Sequence, residues 1–200
     1  VAKLLKVPTG KVRVVSMAVG GGFGGKVVLL EPLAALLAQR LRRPIQLALT
    51  RSEEFQVGRP APASYTDIKI GARKDGSLTA IEIGMVWDNG AASGWHGNIA
   101  GMLFNSAYLV ANFAFRAYEV ATHKTPTDAY RAPGGTQAFF ALASALDAVA
   151  AKLGMDPLEL RLQNATRAGE KLPHGAPATL GLVDAIAGDR QHRSYPAPTA

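Results

Sequence analysis

The sequence predicts an α+β fold, a mixed sheet with helices packed against it. Three features point there. Strand-like alternation and helical spacing follow one another irregularly along the chain. An Asp75-Gly76 turn joins two alternating runs, residues 65–72 and 78–88, into an antiparallel pair. The strongest helical pattern, residues 137–152, comes after that pair rather than interleaving with it, which argues against a doubly wound parallel sheet.

Taken in order, Leu4, Leu5 and Val7 read as the tail of a helix, and Pro8-Thr9-Gly10 turns the chain into a β-rich run over residues 11–19. Lys3 and Lys6 flank a short Leu4-Leu5 pair with no apolar run or cleavage site, so the start reads as a cut end rather than a signal peptide. After the glycine loop at 20–26, apolar residues at helical spacing predict a helix over 28–41, with Arg40, Arg42 and Arg43 complementing its C-terminal dipole. Pro44 stops it, residues 45–50 alternate as a strand, and 51–55 form a short polar turn or helix before a Pro-rich loop at 58–63. Beyond the hairpin come a glycine-rich loop at 90–97, a helix over 98–108, a strand over 115–123 and a loop over 125–136. Gly154 ends the long helix, Asp156-Pro157 caps and opens another, and a last helix is expected over 180–186, with 188–200 a disordered tail.

A chain of 200 residues can bury a core unaided, and 48% hydrophobic with 18% charged residues is a globular balance. No run approaches the roughly 18–20 apolar residues of a membrane span. With no cysteine, the chain can form no disulfide, thiolate metal site or iron–sulfur ligation, so any redox centre must be borrowed. The net charge of +7 is spread along the chain, densest at Arg42-Arg43, with no basic stripe interleaved with aromatics; nucleic acid is not an expected partner.

Gly20, Gly21, Gly22, Gly24 and Gly25 around Phe23 leave backbone amides unobstructed at the mouth of a helix, a geometry that favours an anionic or oxygen-rich ligand. Gly20, Gly25 and Lys26 begin a phosphate-binding loop, yet Val27 stands where a hydroxyl must hold Mg²⁺. Gly20, Gly22 and Gly25 also satisfy a dinucleotide fingerprint, but the following strand ends in Thr50-Arg51-Ser52 instead of an acid. A turn without ligand, and a non-catalytic domain that uses the loop to bind an anion or a partner, are the remaining alternatives.

Residues 12–16 (Val-Arg-Val-Val-Ser), the glycine loop, residues 31–38 (Glu-Pro-Leu-Ala-Ala-Leu-Leu-Ala), residues 43–51 and residues 130–135 (Tyr-Arg-Ala-Pro-Gly-Gly) occur in a specific order. Together with residues 156–161 (Asp-Pro-Leu-Glu-Leu-Arg) and Asn164, that order resembles the molybdenum-cofactor-binding large subunit of the xanthine dehydrogenase and aldehyde oxidase family, in its aldehyde oxidase-like or isoquinoline oxidoreductase-like branch. The resemblance covers residues 1–187 and implies part of the molybdopterin-binding region of a larger subunit.

It implies molybdenum carried by molybdopterin, as the plain pterin or its cytosine dinucleotide, with iron–sulfur clusters and FAD on other domains or subunits. Cofactor contacts carry over to Gly21, Gly22, Phe23, Gly24, Gly25 and Arg131, with no direct metal ligand from the protein. Three positions implied for the substrate pocket depart from purine-hydroxylating members: Val27 replaces a glutamate, Gly101 an arginine and Pro133 a stacking aromatic. An aldehyde or aromatic N-heterocycle is therefore expected as substrate, hydroxylated with oxygen from water. The family's base, a glutamate far toward the C-terminus, has no counterpart here. The resemblance thus assigns no catalytic residue, implies no turnover by this chain alone, and makes the rest of the large subunit and the iron–sulfur and flavin units its partners. Trp95 and His96 can line a substrate funnel or pack; Glu31, one turn into the first helix, belongs to the family pattern or is a helix-dipole acid; Gln137 can hold the second loop.

Overall fold

The computed structural model describes residues 1–26, 30–172, 175–179 and 181–191. Seven helices and three strands are assigned among them: α1 (Ala2–Leu5), α2 (Glu31–Leu41), α3 (Arg51–Val57), β1 (Ala63–Ala72), β2 (Leu78–Asp88), α4 (His96–Ala107), β3 (Asn112–Val120), α5 (Gly135–Leu153), α6 (Pro157–Asn164) and α7 (Leu182–Arg190). The sheet order is β1-β2-β3. β1 and β2 pair antiparallel, as the hairpin signal requires, while β3 lies parallel to β2, reached through α4.

The centre of the sheet explains the core. Ile81, Ile83, Met85 and Trp87, at alternate positions of β2, are buried on one face. Onto that face α5 lays Ala138, Leu142, Leu146 and Ala150, spaced by four on one side of the helix, and α4 lays Ala100, Phe104 and Ala107. The opposite face is charged: Glu82 of β2 meets Lys69 of β1 at 3.7 Å and Arg116 of β3 at 3.0 Å. Both hairpin and helix ends follow local chemistry. Gly76, at φ +88°, makes the turn, and Asn164 pins it by accepting from the Leu78 amide at 2.9 Å and donating to the Gly76 carbonyl at 2.9 Å. Gly154 closes α5 in the left-handed conformation, and Asp156 caps α6 by accepting from the Glu159 amide at 2.9 Å.

Several expectations shift. Residues 12–20 and 44–50 carry no strand, because alternation specifies a face that can be buried while a strand also needs a hydrogen-bonded neighbour, and none lies beside either run among the described residues. Val14, Met17 and Val19 are accordingly exposed, and none of the described residues before Pro62 is buried. The first helical turn expected around residue 28 lies outside the described residues. β3 begins and ends three residues earlier than its alternation suggested, since the Thr122 amide leaves the ladder to bond the Gly90 carbonyl at 2.9 Å. The last helix runs on to Arg190, past its expected end at 186, and residues 192–200 lie outside the described set. No single helix among the described residues is long and apolar enough to cross a membrane.

Candidate functional site

The glycine loop and the loop before α5 meet. The Arg131 amide donates to the Phe23 carbonyl at 2.8 Å, and the Phe23 and Tyr130 rings lie 6.2 Å apart. Both loops reach this contact through unusual backbone. Phe23 and Ala132 hold left-handed conformations (φ +49° and +54°), which non-glycine residues rarely adopt and which therefore mark loops held by their surroundings. Gly24, at φ +94°, has no room for a side chain: a Cβ there would stand 2.7 Å from the Ala129 carbonyl oxygen.

On the outer side of this contact is an open groove of about 440 Å³ lined by Phe23, Gly24, Ala129, Tyr130, Arg131 and Pro133. A smaller recess of about 290 Å³ behind the glycine loop is lined by Gly21, Gly22, Phe23, Gly25, Lys26 and the turn after α3. Among the described residues the amides of Gly21, Gly22, Phe23 and Gly24 have no acceptor, and the Arg131 guanidinium has no acidic partner. Lys26, by contrast, is engaged: it pairs with Glu54, whose carboxyl is held below its ordinary range first by that hydrogen bond and then by the two cations near it. The lysine is thereby committed to α3 instead of standing free over a phosphate.

The second loop is braced from behind. Asp128 pairs with Arg59 at 2.7 Å, its amide donates to the Pro60 carbonyl at 3.1 Å, and the Thr127 amide donates to the Asn89 carbonyl at 3.0 Å. Partial burial pushes the Asp128 carboxyl up, but hydrogen bonds from Arg59 and the Ala129 amide outweigh it and the net displacement is downward. Gln137, one turn into α5, donates to the Pro62 carbonyl at 3.1 Å and ties the helix to the start of β1.

The expected site residues therefore divide. Gly21, Gly22, Phe23, Gly24 and Gly25 share one neighbourhood with Arg131 and Pro133. Gly101 is not among the residues lining either recess: its missing side chain faces the Phe115 ring, with a Cβ position 2.8 Å from that ring, which permits the close packing of α4 on β3. Val27 lies outside the described residues. His96 is 1% exposed, so it lines no open funnel, whereas Trp95 beside it is partly exposed. Glu31 accepts from the Leu30 amide at 3.1 Å in the first turn of α2, the place where the dipole favours an acid. The residues that sequence reasoning missed are Arg59 and Asp128, because a pair 69 positions apart in two Pro- and Thr-rich loops leaves no local signal. Among the described residues no cluster of three or more His, Cys, Asp or Glu side chains is arranged to hold a metal ion.

Comparison with known proteins gives these loops their setting. The family model for the molybdopterin cofactor-binding domain matches residues 1–165. The nicotinate dehydrogenase large molybdopterin subunit of Eubacterium barkeri is 32% identical over 93% of this chain and 45% of its own length. A putative xanthine dehydrogenase molybdenum-binding subunit of Escherichia coli is 36% identical over 86% of this chain and 24% of its own length. The aldehyde oxidoreductase structure from Desulfovibrio gigas superposes with a TM-score of 0.76 at 33% identity, covering 86% of this chain and 19% of that one. The chain thus spans less than half the length of the relatives it matches. It belongs to the molybdopterin cofactor-binding domain of the xanthine dehydrogenase and aldehyde oxidoreductase large subunits, of which it is a part.

Proposed function

We propose that the glycine loop and the Arg131 loop together hold the pterin-borne molybdenum of an oxidoreductase that hydroxylates an aldehyde or an aromatic N-heterocycle, with water as the source of oxygen. The observation that carries this reading is the 2.8 Å bond from the Arg131 amide to the Phe23 carbonyl, which sets unpartnered amides and an unpartnered guanidinium around one groove. Such a donor set fits an oxygen-rich anionic group that brings its own metal ligands, and it needs no cluster of acidic or histidine side chains. Bound there, the group supplies two-electron redox chemistry. The chain's own residues supply the rest. Gly24 lets its backbone approach that of Ala129 closely, and the amides of residues 21–24, with no acceptor among the described residues, are free to donate to a ligand. Arg131 adds a fork of fixed N–H groups, and Phe23, Tyr130 and Pro133 give the groove an apolar lining.

Pro133 in this lining offers no aromatic face for a purine, which supports the smaller aldehyde or the less polar heterocycle as substrate. Membership of this family supports electron transfer through iron–sulfur and flavin partners, and the chain, with no cysteine, offers no thiolate for such a cluster itself. The family resemblance puts the base for the reaction in the remainder of the subunit, and the cofactor is the plain pterin or its cytosine dinucleotide.

The test is metal content. Co-produced with the remainder of its subunit in a cofactor-making host, the wild-type chain should retain about one molybdenum per assembly, and Phe23→Asp should lose most of it because a carboxylate would face an anionic ligand. Normal molybdenum in Phe23→Asp contradicts the loop assignment. Stabilisation of the wild type by inorganic phosphate, with no molybdenum found, favours a plain anion-binding domain.

A further inference from the structure

We propose that His96, whose side chain is almost wholly buried, is a positioning residue that fixes the start of the loop presenting Arg131. The proposal rests on the reading of that loop as part of the cofactor site, but its geometry stands independently.

His96 is the first residue of α4 and is 1% exposed. Its ring stacks on Trp95 at 4.6 Å and on Trp87 at 5.8 Å. Packing of this kind would be served as well by phenylalanine, without the cost of desolvating an imidazole. What the imidazole adds is a hydrogen bond: Nε2 lies 3.2 Å from the Asp128 carbonyl oxygen. A carbonyl only accepts, so Nε2 carries the proton and donates, while Nδ1 has no partner among the described residues. The far end of the loop meets the same residue. The His96 carbonyl oxygen stands 2.7 Å from where a Cβ of Gly134 would be, so the chain can pass there only as glycine, at φ +73°. The His96 imidazole thus holds the entry of residues 128–134, while its backbone carbonyl, which any residue at 96 would present, borders the exit, and Arg131 lies between them with its amide on Phe23.

Arg59 and the Pro60 carbonyl hold Asp128 from its outer side and the Asn89 carbonyl holds Thr127; the His96 donor is the brace from the core. Removing it should free the Asp128 peptide to rotate and so loosen the neighbouring Arg131 amide.

The test crosses two substitutions in the 200-residue chain. His96→Phe keeps an aromatic ring between the tryptophans but has no donor; His96→Gln gives up the ring but keeps a donor at a similar reach. Amide hydrogen exchange is read at Arg131 and, as an internal reference, in the α5 core. We expect Arg131 to exchange roughly tenfold faster in His96→Phe and within about threefold of wild type in His96→Gln, with α5 unchanged in both, the size expected for one net hydrogen bond. The reverse pattern, a protected Arg131 in His96→Phe and a loosened one in His96→Gln, would overturn the proposal in favour of ring packing. If either variant fails to fold, ¹⁵N spectra of the wild-type imidazole decide instead: a proton on Nε2 is expected, and a proton on Nδ1 refutes the bond. Absence of molybdenum from wild-type assemblies would remove the cofactor reading while leaving the exchange result to judge His96.

Discussion

Gly24→Ala is the sharpest perturbation of the junction between the two loops. At φ +94° an alanine bears a left-handed cost of about 1–2 kcal/mol. Its Cβ would also stand 2.7 Å from the Ala129 carbonyl oxygen and 3.1 Å from the carbonyl carbon, both backbone atoms that no rotamer can move. Relief requires the loops to part, which breaks the Arg131-to-Phe23 bond in variant and wild type alike and so cancels from the comparison. The left-handed cost alone, about 1–2 kcal/mol, favours opening of the junction by roughly 5- to 30-fold, and the collision adds to it. None of the described residues before Pro62 is buried, so the glycine loop can lift away without unfolding the sheet and helices. The global melting temperature should therefore move little. Limited trypsin digestion reads the opening, because Lys26 and Arg131 flank the junction, and cleavage from a rapidly reclosing state follows the open population. Gly21→Ala is the control: its φ is +73°, but a Cβ there meets nothing within 4 Å, so it carries the backbone cost without the collision. Cleavage after Arg131 no faster in Gly24→Ala than in Gly21→Ala would refute the reasoning.

Two further outcomes follow from the core and its edge. Asp88 accepts from Lys124, from Thr122 Oγ1 at 2.5 Å and from the Gly90 amide at 3.2 Å, which lowers its carboxyl from 3.8 to about 2. A lowered folded-state value means stability that is fully present above pH 4 and is lost as pH falls toward 2, so acid titration of the wild type should show a loss in that window that Asp88→Asn lacks. Leu142→Ala, in the buried stripe of α5, should cost about 2–5 kcal/mol by urea unfolding, whereas Leu36→Ala on α2, a helix with no buried residue, should cost about 0.5 kcal/mol or less. Equal effects at the two leucines would contradict the placement of the core.

Elements that carry their own stop and turn signals were legible in the sequence. Asp75-Gly76, Gly154 and Asp156-Pro157 each specify a local backbone geometry, and the hairpin, α5 and α6 appear where those residues put them. Residues 12–19 and 45–50 show the opposite case, for a strand is a property of two segments and alternation describes only one. The parallel placement of β3 on β2 was likewise illegible, because nothing in residues 112–120 records which neighbour they join. At the site, glycines announced a close approach, and the meeting with Arg131 was foreseen only through the family resemblance. Phe23 and Ala132 in left-handed backbone, the Arg59 brace and the inward-facing His96 left no trace in periodicity, since each depends on a distant segment.

The most direct measurement of the central claim compares amide exchange in assemblies containing this chain with and without the bound cofactor. Protection should concentrate at residues 21–25 and 130–132, on both sides of the Arg131-to-Phe23 bond. Protection confined to one of these loops, or falling on the charged outer face of the sheet around Glu82, would contradict it.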